Sequence, residues 1–97
     1  MDREEYVEAV LSVVERVPAG RVTTYGAIAE HLGSGGPRRV GNVLAQHGGP
    51  VPWWRVVRAD GSLPRSHGDE ARQAYLAEGT PLRSSGRPDM TAAFWSP

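Results

Sequence analysis

The sequence predicts a mainly α single domain that contains a helix-turn-helix and a small β-hairpin. Three observations lead there. Apolar residues recur at helical spacing over residues 2–17. Two short helical segments flank the run Gly33-Ser34-Gly35-Gly36. The pair Val56-Val57 is soon followed by Asp60-Gly61, a strong hairpin turn signal. A length of 97 residues allows one domain with one modest core.

Asp2 followed by Glu5 is a capping pattern. Tyr6, Val7, Val10, Leu11, Val14 and Val17 then share one helical face, and Pro18-Ala19-Gly20 ends the helix with a turn. After an extended step at Val22, Thr23 or Thr24 can cap a second helix over about Tyr25–Leu32, with Ile28 and Leu32 inward. Pro37 suits the first position of a third helix, where its missing N–H costs nothing. That helix runs to about His47, buries Val40, Val43 and Leu44, and stops at Gly48-Gly49. Pro50 and Pro52 favour extended backbone through Trp53 and Trp54 into a strand, Val56-Val57-Arg58, from which Ser62-Leu63 returns. Residues 64–68 form a loop carrying Arg65 and His67. Asp69 caps a last helix, Glu70 to Glu78, closed by Gly79. The domain is thus expected over 1–79. Residues 80–97 form a proline-rich C-terminal tail whose Met90, Phe94 and Trp95 can pack back onto the body.

Composition narrows the function classes. No cysteine is present, which excludes disulfides, thiolate metal sites and thiol nucleophiles together. His31, His47 and His67 are scattered and suggest no metal site, and no motif calls for a cofactor. No apolar run is long enough to span a membrane, and the acidic start Met1-Asp2-Arg3-Glu4-Glu5 is unlike a signal peptide, so a cytoplasmic protein is expected. Net charge is zero but unevenly spread: residues 1–36 hold six acids and three bases, residues 37–97 five acids and eight bases. All eleven bases are arginine. A GC-rich codon bias accounts for most of that, so arginine position carries more information than number. Arg38 and Arg39 stand on the first turn of the third helix, whose free N–H groups and partial positive charge favour an anion. An αα-hairpin that only builds the core is the plainer reading of the same spacing.

Three segments together resemble one family: Val22-Thr23-Thr24-Tyr25-Gly26-Ala27-Ile28-Ala29, then Arg38-Arg39-Val40-Gly41-Asn42-Val43-Leu44, then Pro52-Trp53-Trp54-Arg55-Val56-Val57. In order and spacing they are similar to the winged-helix-like C-terminal domain of the O6-alkylguanine-DNA alkyltransferases. The likeness covers roughly residues 4–79. It implies a helix-turn-helix that enters the minor groove, an arginine that fills the base stack, and a pocket for the flipped guanine. In that family a cysteine in a Pro-Cys-His-Arg-Val segment takes the alkyl group, and the adjacent histidine accepts the thiol proton. Here Trp53 stands at the cysteine position and Trp54 at the histidine position. An indole N–H is a donor whose lone pair belongs to the ring, so it is neither nucleophile nor base. The departure resembles the alkyltransferase-like proteins, which bind alkylated guanine without dealkylating it and pass it to nucleotide excision repair. The second tryptophan departs from their Pro-Trp-His-Arg-Val pattern as well.

The resemblance implies a lesion pocket of Tyr25, Trp53, Trp54, Arg55 and Arg65, and a DNA-binding set of Thr24, Tyr25, Arg38, Arg39 and Asn42. Arg38 is the expected finger, a flat cation able to stack in the gap that a flipped base leaves. Arg39 is expected on phosphate or in solvent. Tyr25 is expected beside the flipping site, its hydroxyl on the base or its ring against the 3′ phosphate. Trp53 would offer a flat apolar wall that favours apolar alkyl groups and tolerates larger ones, at about 1–3 kcal/mol per base–aromatic contact. In extended backbone Trp54 would face the opposite way. Arg55 is expected to brace the pocket loop through backbone carbonyls, Arg65 to cover the base, and Asn42 to bond locally on its helix. The implied partners are double-stranded DNA containing O6-alkylguanine and excision-repair proteins, bound by a monomer that associates with the nucleoid.

Two other classes compete. An enzyme that excises the base needs a carboxylate or water-activating base near the pocket; Asp60 and Asp69 are the nearest acids, and both have turn or cap explanations. A helix-turn-helix regulator without lesion specificity needs base-reading side chains beyond Arg38 and Arg39, and Asn42, Gln46 and His47 are a thin set.

Overall fold

The computed structural model describes residues 1–63 and 68–97, so Arg65 and His67 lie outside the described residues. The chain opens with α1, Arg3–Arg16, capped by the Asp2 carboxylate, which accepts the Glu5 N–H at 2.8 Å. Tyr6, Val10, Val13 and Val14 form its buried stripe. A two-residue strand β1, Thr23–Thr24, leads directly into α2, Tyr25–Leu32. Of the two candidate caps, Thr24 is the one used: its Oγ1 accepts the Ala27 N–H at 3.0 Å. Gly33 ends α2 in the left-handed conformation. The third helix, α3, is Gly36–His47, beginning one residue before Pro37.

Where the prolines at 50 and 52 predict extended backbone, Trp53–Arg55 instead form a single 3-10 turn. The proline geometry permits it: Pro52 keeps φ −73°, and the Arg55 N–H donates back to its carbonyl at 3.0 Å. Trp53 and Trp54 therefore do not point to opposite faces. Their rings meet edge to face, with centroids 5.6 Å apart.

The small sheet is not the expected hairpin. The Asp60-Gly61 turn does form, with Gly61 N–H on the Arg58 carbonyl and Arg58 N–H on the Ser62 carbonyl. However, the Asp60 carboxylate captures both the N–H and the hydroxyl of Ser62, at 2.9 and 2.6 Å, and holds it in the turn rather than in a returning strand. The strand β2, Val56–Val57, pairs instead in parallel with β1, in the register Thr23 with Val56 and Thr24 with Val57.

Beyond the turn, α4 spans Gly68–Glu78, which places Asp69 in its first turn rather than at its cap. The tail carries a short α5, Met90–Ala93, whose cap is the Asp89 carboxylate. It runs beside β1: the Val22 N–H donates to the Ala93 carbonyl at 3.0 Å, and the Trp95 N–H donates to the Val22 carbonyl at 2.7 Å.

Two apolar clusters result. One joins α1, α2 and α3 and includes Val51 and Val56. The other joins Val22, Val57, Ala71, Tyr75 and Ala93, with both tryptophans packed against it. Successive strand residues face opposite ways, so the two residues of β2 serve one cluster each.

Candidate functional site

The residues expected to meet DNA stand at the start of α2 and on the first turns of α3, and the expected pocket residues Trp53, Trp54 and Arg55 form the 3-10 turn. Arg38 lies in the first turn of α3 and is exposed, with no polar partner among the described residues. Its neighbour Arg39 is partly buried, its guanidinium 4.0 Å from the centre of the Tyr6 ring. Asn42, one turn further on, is exposed. It borders a groove of about 260 Å³ between α1 and α3, along with Arg3, Arg39 and Gln46. The Thr24 hydroxyl is committed to capping α2.

Tyr25 follows that cap directly and is half-buried. Burial pushes its phenol above the ordinary tyrosine range, while the nearby Arg58 guanidinium pulls it back. The sheet register explains that proximity, since Tyr25 and Arg58 are the residues that follow the paired Thr24 and Val57. A Cβ added at Gly41 of α3 would lie 4.0 Å from the Tyr25 ring.

The 3-10 turn is braced from α4. Glu78 is 13% exposed at its side chain and accepts four hydrogen bonds. Trp54 Nε1 donates at 3.0 Å, Arg55 Nε and Nη2 at 3.1 and 2.6 Å, and the Gly20 N–H at 3.2 Å. Arg55 also donates to the Val17 carbonyl at 2.9 Å, and its guanidinium stands 5.7 Å from the Trp54 ring centre. Burial disfavours the Glu78 charge, but the Arg55, Gly20 and Trp54 donors outweigh it and hold the carboxyl below its usual range. From the other side, the Tyr75 hydroxyl donates to the Trp54 carbonyl at 2.6 Å. Burial raises the Tyr75 phenol strongly, reinforced by Tyr25 and Glu78.

The expected site residues thus separate. Trp54 and Arg55 are tied into a structural network, Trp53 and Tyr25 are partly exposed near it, and Arg65 lies outside the described residues. A cavity of about 330 Å³ opens between α4 and the tail, with Leu63, Tyr75 and Arg87 in its lining, and neither Tyr25 nor Trp53 borders it. Sequence reasoning missed Glu78, Tyr6 and Arg58. The hydrogen bonds of Glu78 and the stacking of Tyr6 join segments far apart in the chain, and no local pattern marks them. Arg58 could have been found had β2 been paired with β1.

Comparison with known proteins places the chain. The model described as 6-O-methylguanine DNA methyltransferase, DNA binding domain, matches residues 5–79. The DNA base-flipping protein of Escherichia coli is 37% identical over 102 aligned positions, covering 99% of this chain and 79% of that protein. Alkyltransferase-like protein 1 of Schizosaccharomyces pombe is 33% identical over 85 positions, covering 80% and 78%. The fold superposes on S. pombe Atl1 solved with damaged DNA containing O6-carboxymethylguanine, with a TM-score of 0.85 and 27% identity over the whole of both chains. Like those alkyltransferase-like relatives in fold, and without a cysteine to accept an alkyl group, the chain belongs to the 6-O-methylguanine DNA methyltransferase family through its DNA-binding domain.

Proposed function

We propose that this protein recognises O6-alkylguanine in duplex DNA without repairing it, and that it marks the lesion for nucleotide excision repair. One observation carries the reading: the family scaffold is intact, while Trp53 and Trp54 replace the thiol and the base that alkyl transfer requires. The helix-turn-helix enters the minor groove, Arg38 fills the stack, and the extruded guanine comes to rest near Tyr25 and Trp53. Extrusion costs a few kcal/mol, less at a damaged pair, and base–aromatic contact returns about 1–3 kcal/mol per base. Nothing has to align for in-line displacement, so the site accommodates a range of adducts.

Titration of two duplexes that differ only by one O6-methylguanine tests the recognition. The lesion duplex is expected to bind more tightly, with the adduct still on the DNA and no mass gain on the protein after incubation. Equal affinity for the two duplexes, or loss of the adduct, would defeat the reading. The excision-repair link is tested separately, by whether adding this protein raises incision of the lesion strand by a reconstituted excision system.

A further inference from the structure

The motif leaves Arg39 for phosphate or solvent, yet its charge is directed inward. Its guanidinium lies 4.0 Å from the centre of the Tyr6 ring, and the Tyr6 hydroxyl donates to the Ser34 carbonyl at 3.1 Å. Tyr6 itself is fixed, being 1% exposed within the first apolar cluster. Between these contacts sits Gly35, the N-cap of α3, at φ +87°. A Cβ there would collide with the Tyr6 hydroxyl and lie 2.9 Å from Arg39 Cδ. The corner between α2 and α3 is therefore clasped onto α1 from both sides of one glycine.

From this the geometry points to Arg39 as a positioning residue for the finger, with Tyr6 and Gly35 completing the clasp. Consecutive helix residues project about 100° apart. Drawing Arg39 over Tyr6 thus fixes the rotation of the first turn of α3 and leaves Arg38 directed away from the body. A first turn with no side-chain cap needs such an anchor, because Gly35 has no side chain to supply one. Arg39 acts on DNA through Arg38, and its charge is spent on the Tyr6 ring rather than on a phosphate.

The inference rests on the lesion-recognition reading for the identity of the finger, and its test separates the two. Arg39→Gln and Arg39→Lys are compared with wild type on lesion and control duplexes across a salt series, with 2-aminopurine beside the lesion as a reporter of base extrusion. Arg39→Gln is expected to lose roughly three- to tenfold in lesion affinity, the range expected for a cation–ring contact. The slope of log affinity against log salt is expected to stay at the wild-type value, and the 2-aminopurine amplitude at saturating protein to fall. Arg39→Lys, which keeps a cation over the ring, is expected to restore most of that amplitude. A slope shallower by about 0.9, the signature of one lost phosphate contact, would overturn the inference. So would an unchanged 2-aminopurine amplitude in Arg39→Gln. If wild type fails to prefer the lesion, the recognition reading falls, while the salt slope on the control duplex still decides whether Arg39 touches phosphate.

Discussion

The first turn of α3 and the 3-10 turn at Trp53–Arg55 each begin with residues taken from a family motif, yet they are built in opposite ways. At α3 the motif arginine, Arg38, is exposed and unengaged among the described residues, and its neighbour secures the backbone. At the 3-10 turn the motif arginine, Arg55, is sunk into a carboxylate that also holds Trp54 and the Gly20 amide. One site presents a charge; the other consumes its charge in bracing a wall. A residue type in a motif thus tells what chemistry is available, while its partners decide whether that chemistry faces outward.

The strongest way to break this contrast is Glu78→Ala. Removing the carboxylate strands a mostly buried guanidinium, an indole N–H and a backbone N–H, at a cost of about 3 kcal/mol. The denaturant midpoint should fall accordingly, and a midpoint within experimental scatter of wild type would show that the network braces nothing. Arg38→Ala should do the reverse: stability changes by less than about 0.5 kcal/mol, as for exposed positions generally, while lesion affinity drops on the order of tenfold. Retained affinity would remove the finger.

A smaller effect sharpens the comparison by pH. Glu78 is held below its ordinary value of 4.5, so its contribution is fully present above that value and is lost as pH falls through the lower, folded value. Wild type should therefore lose more stability than Glu78→Gln between neutral pH and about pH 3. Parallel pH profiles for the two proteins would contradict the assignment. The smallest expected effect is none at all: Trp53→Cys should not restore alkyl transfer, because Trp54 cannot take the thiol proton and its N–H is already given to Glu78. A methyl group found on the introduced cysteine by mass spectrometry would refute that.

Much of the fold was legible because its signals are local. Asp2 and Thr24 cap the helices they precede, Gly33 stops α2, and the Ile28 and Val40 stripes face the core as their spacing requires. What failed was non-local. The Asp60-Gly61 turn was read correctly, but the ladder partner of β2 lies far upstream at Thr23–Thr24. The proline flanks of Trp53 fit an extended chain and a 3-10 turn alike, and the network from α4 and Val17 holds the latter. In the site, Arg38 is exposed on the first turn of α3, where its position in the motif puts it. The inward turn of Arg39 depends on a tyrosine in another helix and could not be read from the motif alone.

Because Val56 and Val57 each serve a different apolar cluster, β2 leaves no freedom of phase. Insertion of a single residue between Arg55 and Val56 would exchange the two valines' faces and unseat both halves of the molecule at once. Changes of length at the exposed glycine and proline of 49–50 leave that phase untouched, whereas at 59–60 they would break the turn that Asp60 holds. Grafts and length variation are therefore best directed to the 49–50 junction.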